Sequence, residues 1–160
     1  LAQLNDVVRG TIELLRPEID NRGVLLEVKP ARQLPEVRMD PGQIQQALVN
    51  LVRNALQAMT KGGVLRLQTG QSSENVWVSV SDNGVGIPAD HVKRIFEPFY
   101  TTKKKGSGLG LMIVQRIVRD HGGGIELESR VGEGTTFRIW LPLHERGPRL
   151  LSAGTATPAE

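Results

Sequence analysis

The chain has 160 residues, enough for one ordinary domain around a single core, and its 39% hydrophobic and 23% charged residues exclude disorder as the main state. It contains no cysteine, which excludes disulfide frameworks, thiolate metal sites and cysteine nucleophiles, and no apolar run approaches the ~18 residues of a membrane span. The 20 Lys and Arg exceed the 17 Asp and Glu only through Lys103, Lys104 and Lys105, a point concentration where a nucleic-acid surface would spread its cations, so no nucleic-acid partner is expected.

Leu4, Val7, Val8, Thr11, Ile12, Leu14 and Leu15 recur at helical spacing and predict a helix over 3–21, with Pro17 a candidate irregularity. VLLEV at 24–28 reads as a strand, Pro30 and Pro35 punctuate a loop, and Glu36 to Arg38 is expected to be extended. Asp40 followed by Pro41 marks a helix start, because the acid caps free N–H groups and proline suits the first helical position. Ile44, Leu48, Leu51, Val52, Ala55 and Met59 form its apolar stripe, and Gly62 and Gly63 close it. Alternation then predicts strands at 64–69, 76–82, 125–129 and 134–141. Between them fall a short helix near 90–96, a basic glycine-rich loop at 101–110 and a helix over 110–121 capped by Gly122. These elements specify an α/β fold, a two-layer sandwich whose mixed sheet is covered on one face by three helices, over 1–143. Residues 144–160, rich in Gly, Ala, Ser, Thr and Pro, are expected to be a disordered tail.

In VWVSVSD, Val76, Val78, Val80 and Asp82 share a face, which places the carboxylate on the covered side; Thr135, Phe137, Ile139 and Leu141 do the same in the last strand. Asp82 either caps its own DNG turn or serves a ligand, and Gly84 and Gly86 let the backbone approach something flat or bulky. Asn50 and Asn54 are four residues apart, about 40° around a helix, so their amides line one edge: two exposed asparagines, or oxygen ligands suited to Mg²⁺. GSGLGL at 106–111 is a surface loop or, with the following helix N-terminus, an anion cradle beside Lys103 to Lys105. Trp77 and Trp140 fall on the opposite faces of their strands, where they cover the sheet or mark a docking surface.

The order NLVRNALQAM, DNGVGIP, IFEPFYTTK, GSGLGLMIVQRIVRDHGGGIELES and GTTFRIWLPL resembles the N, G1, F and G2 boxes and closing strand of the sensor histidine kinase catalytic domain, a Bergerat ATP-binding fold of the gyrase, Hsp90, histidine kinase and MutL superfamily. The resemblance implies that Asp82 accepts a hydrogen bond from the adenine amino group, with Thr135 and a water near Gly86 completing base recognition. It implies Asn54 as the principal Mg²⁺ ligand with Asn50 beside it, backbone contacts to phosphate from Gly106, Gly108, Leu109 and Gly110, a lid over 97–108, and Lys103 as the charged phosphate contact. Hydrolysing relatives carry a glutamate where Asn50 stands; an amide cannot act as that base, which favours transfer to a protein over hydrolysis.

The family's acceptor histidine lies on a helical dimerisation domain, and none of His91, His121 and His144 has its acidic context; His121 reads as favouring a helix C-terminus. The expectation is therefore an excised cytoplasmic catalytic domain, monomeric alone, whose partners are ATP or ADP, that histidine-bearing domain and a response regulator receiver domain. The alternative is a self-contained ATPase or a serine-directed switch kinase of the same fold. Gln57 and Ala58 replace the basic and aromatic residues that many members carry after the metal asparagine, and NALQAM with FYTTK is more similar to the nitrogen-regulation subclass.

Overall fold

The computed structural model describes residues 1–60, 62–92 and 110–143. The first helix, α1 (Leu4–Asn21), buries Leu4, Val7, Val8, Ile12, Leu15 and Ile19, and Pro17 sits within it without ending it. It is followed by β1 (Val24–Lys29) and by α2 (Pro41–Ala58), where Asp40 Oδ1 accepts from the Gly42 N–H at 3.0 Å and the Gln43 N–H at 3.3 Å. The expected extended piece at 36–38 reduces to one bridge between Ala2 and Val37. Proline at 35 and the α2 cap at 40 leave that segment too short for a ladder.

Two strands, β2 (Gly63–Gln71) and β3 (Asn75–Asp82), precede the short α3 (Ala89–Val92); α4 (Gly110–Asp120), β4 (Gly124–Arg130) and β5 (Gly134–Pro142) complete the order. Among the described residues five strands form one mixed sheet in the order β1-β2-β3-β5-β4, parallel only between β1 and β2. That parallel pair follows from the α2 crossover, whereas the remaining strands join antiparallel. The helices α1, α2 and α4 cover one face, with Ile44, Leu48, Leu51, Leu65, Val78, Val80, Val114, Phe137 and Ile139 in the shared core. This is the expected two-layer sandwich.

The other face is polar apart from its tryptophans and the paired Leu25 and Val64 of β1 and β2, of which Leu25 is exposed. Gly70, Trp77, Trp140 and Gly124 are paired in a row across β2, β3, β5 and β4. A Cβ on Gly70 would lie 2.3 Å from the Trp77 ring, and one on Gly124 would lie 2.7 Å from the Trp140 ring, so each indole lies over its glycine. Arg138 stacks on Trp77, 4.3 Å from the ring centre. The tryptophans thus cover the strands. Among the described residues no helix is long and apolar enough to cross a membrane. The predicted helix beyond residue 92, the basic loop and the tail from 144 onward lie outside the described residues.

Candidate functional site

Three polar residues meet in one cross-strand row at the end of the helix-covered face. Asp82 on β3 is paired with Thr135 on β5, and Thr135 with Ser129 on β4, while Leu65 closes the row on the far side of Asp82. Strand alternation puts them there: each ends a set of inward residues, Val76 to Val80, Phe137 to Leu141, and Ile125 with Leu127. Thr135 is buried at 5% exposure and Asp82 is half-buried. Asp82 Oδ1 accepts the Gly84 N–H at 2.8 Å, so the carboxylate caps its turn and faces the covered side at once.

Ser129 was not among the residues expected from sequence, yet it joins this row together. Its Oγ accepts the Ile87 N–H at 2.7 Å, donates to the Gly134 carbonyl at 3.1 Å and lies 2.7 Å from Thr135 Oγ1. The alternation that singles out Asp82 and Thr135 also places Ser129 inward and was the signal that could have found it.

The glycines of the DNGVGIP turn are required by the chain itself. A Cβ on Gly84 would sit 2.3 Å from the Ala58 carbonyl oxygen, and one on Gly86, whose φ is +78°, would sit 2.1 Å from the Arg130 carbonyl oxygen. Val85 donates to the Ala58 carbonyl at 3.2 Å and accepts from the Gly132 N–H at 2.9 Å. The flat or bulky neighbour expected from sequence is thus the end of α2 on one side and the β4–β5 turn on the other. Asn83 Oδ1 accepts the Val64 N–H at 2.9 Å and ties the same turn to β2.

Asn50 and Asn54 lie on α2, both half-buried, one turn apart, and Asn54 is a turn before the Ala58 carbonyl that holds the Asp82 turn. Gly110 opens α4; a Cβ there would meet nothing within 4 Å, so packing among the described residues does not demand glycine at that position. Lys103, Gly106, Gly108 and Leu109 lie outside the described residues, as does the expected lid. At the far end of α4, His121 Nδ1 is 2.8 Å from the Ile117 carbonyl and Nε2 accepts the Asp40 N–H at 3.0 Å. With these partners Nδ1 is the donor and Nε2 the acceptor. His121 engages its helix end and links it to the α2 cap.

The side chains of Asn50 and Asn54 offer amide oxygen, a donor type that a hard cation accepts. Among the described residues no group of three His, Asp or Glu side chains is arranged to hold a metal ion. A hard cation here would take amide oxygen from Asn54 and Asn50, with water and phosphate oxygens filling the remainder, the usual habit of Mg²⁺.

Residues 39–145 match the family model described as histidine kinase-, DNA gyrase B-, and HSP90-like ATPase, and the chain belongs to that family of ATP-binding domains. Within it, the similarity is to the catalytic domains of sensor histidine kinases. Sensor histidine kinase ZraS of Escherichia coli (strain K12) is 40% identical over 141 residues, covering 88% of this chain and 30% of ZraS. The chain thus spans a third or less of the length of curated relatives such as ZraS, sporulation kinase E and CckA. The catalytic domain of histidine kinase ThkA, in a nucleotide-free form, superposes with a TM-score of 0.81 at 34% identity over 89% of this chain and 93% of that one. Full-length ShkA in complex with AMPPNP superposes with a TM-score of 0.79 at 30% identity, covering 88% of this chain and 30% of ShkA.

Proposed function

We propose that this domain binds Mg-ATP with the adenine against Asp82 and Thr135 and presents the γ-phosphoryl group to a histidine on a separate dimerisation domain of a sensor histidine kinase. The observation that carries the reading is the row of Asp82 and Thr135: a carboxylate and a hydroxyl, cross-strand partners, at the end of a largely apolar face. Such a pair suits an exocyclic amino group held against a hydrophobic floor. The AMPPNP complex of ShkA supports the choice of nucleotide.

Each residue then has a defined task. Asp82 accepts from the base, and Gly84 and Gly86 keep the turn close enough to α2 and to the β4–β5 turn for the base to reach it. Asn54, with Asn50 beside it, supplies amide oxygen toward Mg²⁺, which when bound neutralises phosphate charge. Gly110 opens the α4 N-terminus to the phosphates, with Gly106, Gly108, Leu109 and Lys103 assigned to them from the sequence pattern. Asn50 holds no proton-accepting carboxylate, so the domain orients the phosphoryl group and leaves the nucleophile to another domain. By the same reading the domain works in the cytoplasm as a monomer when isolated, its phosphoryl group passing onward to a receiver domain. The NALQAM sequence supports a nitrogen-regulation-like subclass.

Calorimetric titration of ATP and ADP with Mg²⁺ into the native chain and into Asp82→Asn tests the reading. Binding by the native chain that the substitution weakens roughly tenfold or more, with circular dichroism unchanged, supports it. A folded native chain that takes up neither nucleotide overturns it.

A further inference from the structure

Ser129 makes three contacts with a single proton to give. The Ile87 N–H at 2.7 Å can only donate, and the Gly134 carbonyl at 3.1 Å can only accept. The Ser129 proton therefore goes to Gly134, and the third contact, 2.7 Å to Thr135 Oγ1, closes only if Thr135 is the donor. Ser129 Oγ then has its full complement, one proton given and two received, and Thr135 Oγ1 is left with lone pairs alone. Its cross-strand partner Asp82 offers a carboxylate, also an acceptor.

We infer that Ser129 is a specificity-determining positioning residue: by taking up the Thr135 proton it makes the base-reading end of the site acceptor-only, which selects a purine bearing an amino group over one bearing a carbonyl. The inference rests on the proposed nucleotide reading and extends it to how the base is chosen. An amino group presents two N–H donors to such a site, directly or through water. A carbonyl at the same place sets oxygen against oxygen, and an unmatched buried acceptor loses its hydrogen bond to solvent without replacement. The same Ser129 hydroxyl holds the Ile87 N–H, so the DNGVGIP turn and the Thr135 proton are fixed by one atom.

Inosine triphosphate, which carries a carbonyl where ATP carries its amino group, is the probe. Dissociation constants for ATP and for inosine triphosphate, each with Mg²⁺, are measured by calorimetry on the native chain and on Ser129→Ala, Ser129→Cys and Ser129→Thr. Loss of the hydroxyl in Ser129→Ala frees the Thr135 proton to rotate and meet a carbonyl, so the preference for ATP falls roughly three- to tenfold, about the worth of one hydrogen bond. Ser129→Thr keeps the hydroxyl and the native preference. Ser129→Cys, close in volume with a weakly bonding thiol, shifts the preference as alanine does and serves if the alanine variant does not fold. In a Thr135→Val background, where no hydroxyl remains to orient, Ser129→Ala shifts the preference no further.

Equal weakening of both nucleotides, an unchanged preference, or the same shift in the Thr135→Val background each overturns the inference while nucleotide binding stands. A native chain that binds no ATP, or binds it undiminished in Asp82→Asn, overturns the nucleotide reading and this inference with it.

Discussion

Asp82 combines two bonds that respond differently to substitution. Asparagine at this position still offers an oxygen to the Gly84 N–H, so the turn survives, but the charged acceptor for the base is gone. Hydrogen bonds to charged groups are worth about 1.5–3 kcal/mol, so Asp82→Asn raises the ATP dissociation constant roughly ten- to a hundredfold in calorimetry with little loss of thermal stability. Gly86→Ala behaves in the opposite manner. A left-handed φ of +78° and a Cβ 2.1 Å from the Arg130 carbonyl oxygen force the backbone to move, a strain of about 1–3 kcal/mol. Thermal unfolding should show a lowered midpoint before any nucleotide is added, and nucleotide affinity should fall with it. At this scale the sequence was legible where a residue's placement follows from its parity along a strand, as for Asp82 and Thr135. It was not legible where the partner is distant: nothing near Gly84 or Gly86 in the chain names Ala58 or Arg130.

Among the elements, α2 reaches the candidate site with its last turn and is anchored to α4 at its start. Its start is held by Asp40, whose side chain caps two N–H groups and whose own N–H reaches His121 on the far side of α4. Its end supplies the Ala58 carbonyl to the Asp82 turn. Asp40→Ala removes the cap at a cost of about 1 kcal/mol, read as a reduced midpoint in urea unfolding with an unchanged slope. The cap, the proline after it and the apolar stripe were all local signals, so the helix starts where the sequence puts it. Strand interiors were equally legible, whereas their ends run one or two residues further than alternation indicates, Gly63–Gln71 against 64–69 for instance. Those extra residues are held by pairing with neighbours such as Val76 and Trp77, a non-local contribution that no pattern within β2 encodes. The His121 link was hidden for the same reason, since its second partner is 81 residues away.

The molecule as a whole divides its work between the two faces of one sheet. Under the proposed function the domain carries the nucleotide but no acceptor, so incubation of the chain alone with Mg-ATP should release phosphate slowly, and addition of a histidine-bearing dimerisation domain should produce acid-labile phosphohistidine. Rapid hydrolysis by the chain alone would instead favour an independent ATPase. The two tryptophans of the chain both lie on the face away from the helices and from Asp82, each pressed on a glycine of the neighbouring strand. Nature has thereby fitted the domain with a built-in optical gauge that looks the other way. Indole emission should stay nearly constant as ATP saturates the site and change sharply only when the sheet comes apart. A single fluorometer can then follow stability in every variant above without the signal being confounded by occupancy.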